Sequence, residues 1–161
     1  MEKVSTILSL LVTQELLLAE LYELMAKHHP DQGELLMQMC REEREQASQI
    51  ECRALQAGSG TLQFDDAASK AAALQSFNTC VAEIISLFRG GKMPFGRVLR
   101  LAMDSERAVI DSRVFEHFRN VPGDLKRMFL DMKEKASDHF VRLRTLWIQS
   151  NSLAATLACV R

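Results

Sequence analysis

Little in this chain interrupts a helix. Only three prolines and seven glycines occur in 161 residues, and they gather at four places: Pro30 and Gly33, Gly58 and Gly60, Gly90 to Gly96, and Pro122 with Gly123. Such clusters mark joints between elements. No segment alternates apolar and polar β-branched residues, so strands are not expected. Charge is lacking as well: 20 basic against 21 acidic side chains leave a formal charge of -1. No excess of either sign nominates nucleic acid or an anionic membrane as a partner. The four cysteines, Cys40, Cys52, Cys80 and Cys159, form no CxxC pair, and we read them as reduced, cytosolic packing residues. The N-terminal apolar stretch 7–12 is surrounded by Glu2, Glu15 and Glu20 and has no small-residue cleavage site after it. Neither a signal peptide nor a membrane span is expected, and the expected location is cytoplasmic.

What the chain does have is strong helix formers and 47% hydrophobic residues, enough for one domain with a real core. Five periodic segments follow from 3.6-residue spacing. Residues 2–28 carry Val4, Leu8, Leu11, Glu15, Leu18, Tyr22 and Met25 on one face. Residues 31–57 carry Leu36, Met39, Glu43, Gln46 and Ile50. The alanine-rich stretch 66–89 carries Leu74, Phe77, Val81, Ile84, Ile85 and Phe88 and reads as a crossover helix. A long helix over 94–119 turns Leu99, Ala102, Glu106, Val109 and Ile110 inward. The last, 124–150, carries Leu125, Phe129, Met132, Ala136, His139, Leu143 and Leu146. Long helices with short joints predict an all-α, antiparallel four-helix bundle over residues 1–150 with one additional crossover helix. Residues 151–161 form a short tail, helical or frayed, whose Leu153, Leu157 and Val160 cover the bundle's end or form a dimer contact.

The stripes contain intruders. Burying a polar side chain is costly unless it is hydrogen-bonded, paired or bound to metal, so Glu15, Glu43, Gln46, Glu106 and His139 require an explanation. The halves also echo each other: Gln14, Glu15 and Tyr22 correspond to Ser105, Glu106 and Arg113, as in a repeat of helix pairs.

A di-iron carboxylate bundle takes one Glu from each of two helices and a Glu-x-x-His pair from each of the other two. The Glu15-x6-Tyr22 pattern, with Glu43 following at a fitting interval, resembles the ferritin-like, rubrerythrin-like di-iron family. The resemblance implies Glu15 and Glu106 as single-carboxylate ligands, Glu43 as the bridging carboxylate of the first pair and His139 as the imidazole of the second. It implies iron, with manganese or zinc as alternatives, and oxidation of iron or reduction of peroxide as the chemistry. It also implies a separate electron donor, because the two CxxC pairs of a rubredoxin-like module are absent.

The chain departs from that pattern. Gln46 stands where the first pair would have His, and Ala136 where the second would have its bridging Glu, so the di-iron site is incomplete. Three carboxylates and one imidazole suit a single ion or a weak pair. Glu134 with Ser137 offers a rival alignment to Ala136 with His139, which we prefer because Leu143 and Leu146 continue its stripe. Against any metal stands a buried hydrogen-bonded network of the same residues, with Arg113 supplying positive charge. In that case the chain is a catalytically silent helical interaction protein, expected to form a homodimer through exposed apolar faces. In the run 41–45 only Glu43 is phased inward, and the other charges read as a solvated face.

Overall fold

The computed structural model describes residues 2–56 and 62–158, with side chains at 4–53 and 62–151. The fold is all-α apart from one strand pair of two residues each. Its helices are α1 (Glu2–His28), α2 (Gly33–Gln56), α3 (Ala67–Arg89), α4 (Phe95–Ser112) and α5 (Gly123–Ala158). The strands β1 (Gln63–Phe64) and β2 (Phe118–Arg119) pair antiparallel.

Each helix buries most of the stripe that its periodicity marks, with Val4, Phe77 and Ile110 only half-buried. Leu11, Tyr22 and Met25 of α1, Leu36 and Met39 of α2, Leu99 of α4 and Leu143 of α5 are fully buried. Helix ends coincide with the joints. Pro30 opens a single 3-10 turn before α2, and α3 closes at Gly90 before Gly91 takes up a left-handed φ of 67°.

Contacts give the helix directions. On α2 and α5, Arg53 pairs with Asp124, Glu45 with Lys135 and Glu42 with Arg142, so these two run antiparallel. Asn78 donates to the Leu10 carbonyl and Arg89 pairs with Glu20, so α3 climbs alongside α1 in the same sense. At the far end Lys70 reaches the Ser112 carbonyl, so α4 descends against α3. Consequently α2 and α4 point the same way, although neither joint around α3 is long. The apolar core falls into two clusters, one around Ile7, Leu11, Ile50 and Phe129, the other around Leu21, Met25, Leu36 and Leu143. Along α1 and α2 the buried polar residues lie between them, whereas on α5 His139 lies between Ala136 and Leu143 of the second cluster.

Four expectations are corrected. The helix expected over 94–119 stops at Ser112, with Arg113 left-handed at φ 48° and a 3-10 turn over Val114–His117. At 100° per residue a continuing helix would hold Phe115 roughly 180° from Glu106, facing water. Breaking the helix lets Val114 and Phe118 bury and stacks Phe115 on Phe129, with centroids 4.7 Å apart. Strands were not expected, yet β1 and β2 close that corner, bringing Phe64 against Phe118 edge-on at 4.6 Å. Cys40 is buried as expected, but Cys52 and Cys80 are exposed; Cys159 lies outside the described residues. Finally, α5 does not end near residue 150 but continues to Ala158, while the side chains of Leu153, Leu157 and Val160 lie outside the described ones. By length and composition α1 and α3 are each apolar enough to cross a membrane. In this fold α1 spends that apolarity on the core.

Candidate metal centre

Four helices each contribute inward polar side chains at one level: Gln14 and Glu15 from α1, Glu43 and Gln46 from α2, Ser105 and Glu106 from α4, and His139 from α5. All seven are buried, His139 completely. The phase that puts them there is local: each replaces an apolar residue in its helix's stripe.

The His139 imidazole sits at the centre. Its Nδ1 is 2.8 Å from Glu43 Oε1 and 3.4 Å from Glu106 Oε1. Ligand atoms of Glu43, Glu106 and His139 all lie within 4.8 Å of one another. Glu15 is outside that trio and interacts with the Glu43 carboxyl beside it. The structure therefore brings three of the four expected ligand residues within 4.8 Å of one another and holds the fourth beside them.

Each carboxylate has a dedicated holder. Gln14 donates to Glu15 at 3.0 Å and Gln46 to Glu43 at 3.0 Å. The Tyr22 hydroxyl donates to Glu106, spanning α1 to α4. Gln46 thus occupies the expected histidine position as a clamp on a carboxylate. Ala136 is buried one turn before His139, whereas Glu134 and Ser137 are exposed. The alignment with Ala136 inward is the one the fold adopts, and no carboxylate stands there.

One participant was missed. Glu42, read as a solvated charge, accepts from His139 Nε2 at 2.7 Å and meets Arg142 Nη1 at 3.3 Å. Adjacent residues differ by 100° around a helix, so Glu42 lies at the stripe's edge, from which a long side chain still reaches α5. The signal in the sequence was its adjacency to Glu43 together with the i, i+4 pair Asp138 and Arg142 on α5, 2.6 Å apart. Arg113 is the reverse case: it is exposed, and it supplies no charge to the centre.

Electrostatics run against ionisation at Glu15, Glu43 and Tyr22 and favour the charged forms of His139 and Glu42. Burial pushes the Glu43 carboxyl well above the usual carboxylate range, and the Glu15 and Glu106 carboxyls push it further. Burial also raises Glu15, with the bonds from Glu43 and Gln14 offsetting part. For His139 burial opposes the charged imidazolium, but Glu106 and then Glu42 outweigh it, so the ring is held above its ordinary value. Burial, followed by the Glu106 and Glu43 charges, raises the Tyr22 hydroxyl strongly and keeps it a donor. Glu42 is partly buried, yet His139, Gln38 and Arg142 hold it below the usual range.

No protein-family model, curated protein or solved structure matches the chain. The centre is accordingly read from its own donor set. Carboxyl groups in contact in an apolar interior require a shared proton or a cation between them. Two carboxylates and an imidazole are hard and borderline donors that suit iron, manganese or zinc, so the residues present fit one such ion. With Gln46 and Ala136 at the other two expected positions, they do not supply the full set for two.

Proposed function

We propose that this chain is a metal-binding bundle of the ferritin-like, rubrerythrin-like kind, with a centre reduced to one divalent ion. In this reading α1, α2, α4 and α5 are the four bundle helices and α3 is the crossover, which accounts for α2 and α4 running in the same sense. The observation that carries the reading is the buried convergence of Glu43, Glu106 and His139 within 4.8 Å, with Glu15 alongside. Three carboxyls at one buried point are costly without a cation.

The chain's own residues would act as follows. Glu43 and Glu106 present carboxylate oxygens, and His139 presents the Nδ1 lone pair in the tautomer that keeps its proton on Nε2, hydrogen-bonded to Glu42. Gln46, Tyr22 and Gln14 each hold one carboxylate in place, which fixes orientation before an ion arrives. The two apolar clusters exclude water from both sides. Iron held there would supply one-electron redox chemistry towards peroxide or be itself the ion oxidised. A separate electron donor would be needed, and a cytoplasmic homodimer is the state we propose.

A second reading rests on its own observation. Among the described residues the only buried side-chain nitrogen or oxygen without a hydrogen-bond partner is Asn78 Oδ1, so every polar atom of the cluster is satisfied. Protonated carboxyls could then make this a structural polar core in a silent interaction protein.

The two readings separate on metal content. Protein prepared without chelator, and again after anaerobic Fe(II) loading, is expected to hold one equivalent, lost in Glu43→Ala. Absence of metal in the loaded wild-type protein, or equal content in the variant, rejects the metal reading.

A further inference from the structure

A cavity of about 460 Å³ lies where α4, the left-handed break after it and the first turns of α5 meet. It is separate from the polar centre, starting at Val109 and Ile110 on α4 and reaching Lys133 on α5. Its volume falls in the range of roughly 300–1,000 Å³ typical of small-molecule sites.

Its walls have two characters. The floor is apolar and rigid: Phe129 is stacked on Phe115 and lies 4.8 Å from the Phe118 ring, with Val109 buried beside them. Leu130 leaves 55% of its surface exposed at the rim, which an occupant would cover. The rim is cationic, with Arg113, Arg119, Lys126 and Lys133 against a single acid, Glu116. Asp65 engages Arg119 at 2.5 Å, and Glu116 faces Lys133 at 3.9 Å. Arg113 and Lys126 have no ion-pair partner among the described residues.

The position of Arg113 adds to this. An arginine in the left-handed region is unfavourable, and glycine or asparagine is the usual occupant. Here the sequence places asparagine at the second left-handed site lining the cavity, Asn120 at φ 54°, but arginine at the first. A long cation thus stands where local conformation disfavours it, at the edge of an aromatic floor.

We propose that this cavity binds a small amphipathic anion, an aliphatic carboxylate whose chain lies on Phe115, Phe118 and Phe129 and whose head is held by Arg113 and Lys126. Both halves of the ligand are needed. An apolar chain alone leaves the two cations unneutralised, and a bare anion finds only exposed charges in water, where pairs are weak. The site is independent of any metal bound by Glu43, Glu106 and His139.

The test is a titration of methyl-labelled full-length protein with decanoate, below its micelle concentration, followed by NMR. The methyl resonances of Val109, Ile110, Val121 and Leu130 are expected to shift saturably, while those of Leu36 and Leu143 stay fixed. Decanol and acetate are each expected to bind at least tenfold more weakly. Lys126→Glu with Arg113→Gly, both at exposed positions, should weaken decanoate at least tenfold with the spectrum otherwise preserved. Non-saturable shifts, shifts spread over the core, decanol equal to decanoate, or an unaffected double variant would each overturn the proposal.

Discussion

Replacing Glu43 by glutamine separates charge from shape at the centre. The amide keeps the volume of the acid and can keep its contacts to Gln46 and His139. Its oxygen accepts from Gln46, now 3.0 Å away, and its NH2 can donate to His139 Nδ1, 2.8 Å away, if the ring carries its proton on Nε2 towards Glu42. Each retained hydrogen bond is worth about 0.5–1.5 kcal/mol net, so little is lost on that side. What is removed is a carboxyl whose ionisation the burial and two neighbouring acids oppose. Metal-free Glu43→Gln is therefore expected to be as stable as the parent at pH 7 or more so, by up to ~2 kcal/mol, about 4–8 °C in Tm for a domain of this size. Glu43→Ala, which leaves a cavity and orphans both partners, should cost about 2–4 kcal/mol. In metal the order reverses: the parent should gain ~2.7 kcal/mol when the free ion is at a hundred times its Kd, and Glu43→Gln nothing. Denaturant melts with chelator and with Fe(II), Mn(II) or Zn(II) read both quantities. A loss above ~2 kcal/mol in the metal-free glutamine variant, or equal metal stabilisation of both proteins, would refute the reasoning.

Tyr22→Phe removes the donor to Glu106 inside the buried core, and it should cost about 1–2 kcal/mol in chelator, measured by equilibrium unfolding. Glu15, Glu43 and His139 all have raised values in the folded protein, so it binds more protons than the unfolded chain. Metal-free stability should fall as pH rises from the ordinary carboxylate value through neutrality, metal affinity should rise over the same interval, and a pH series of melts on Glu43→Gln should be flatter. Leu143→Ala, at a fully buried position between the helices, should cost about 2–5 kcal/mol, whereas Val141→Ala, 58% exposed on the same helix, should stay within ~0.5 kcal/mol; calorimetry on both checks the orientation of α5. Arg113→Gly should stabilise the protein by about 1 kcal/mol by relieving the left-handed arginine, and an unchanged Tm would show that this conformation is not strained.

By itself the amino-acid order determined most of the helices, their inward faces and five of the buried polar residues, though not Gln14, Asn78 or Ser105. Helical phase is a property of neighbours: at 100° per residue, Glu15, Glu43, Gln46, Glu106 and His139 can only share a stripe with the leucines around them, and all five are buried. The breakers at Pro30, Gly90 and Pro122 likewise act on their own backbone. Partnership between helices was decided elsewhere. Tyr22 meets Glu106 across 84 residues, and Glu42 meets His139 across 97. Neither follows from spacing, because the packing of α1 on α4 and of α2 on α5 sets which stripe edges touch. The same holds for the end of α4. No glycine or proline stops the helix at Ser112, and what breaks it is the gain from burying Val114 and Phe118 beside Phe64 and Phe129, residues far away along the chain. The cavity and its cations exist only because that break folds back on α5. Local sequence thus wrote the periodic parts, and long-range apolar burial chose the joints and the company each buried acid keeps.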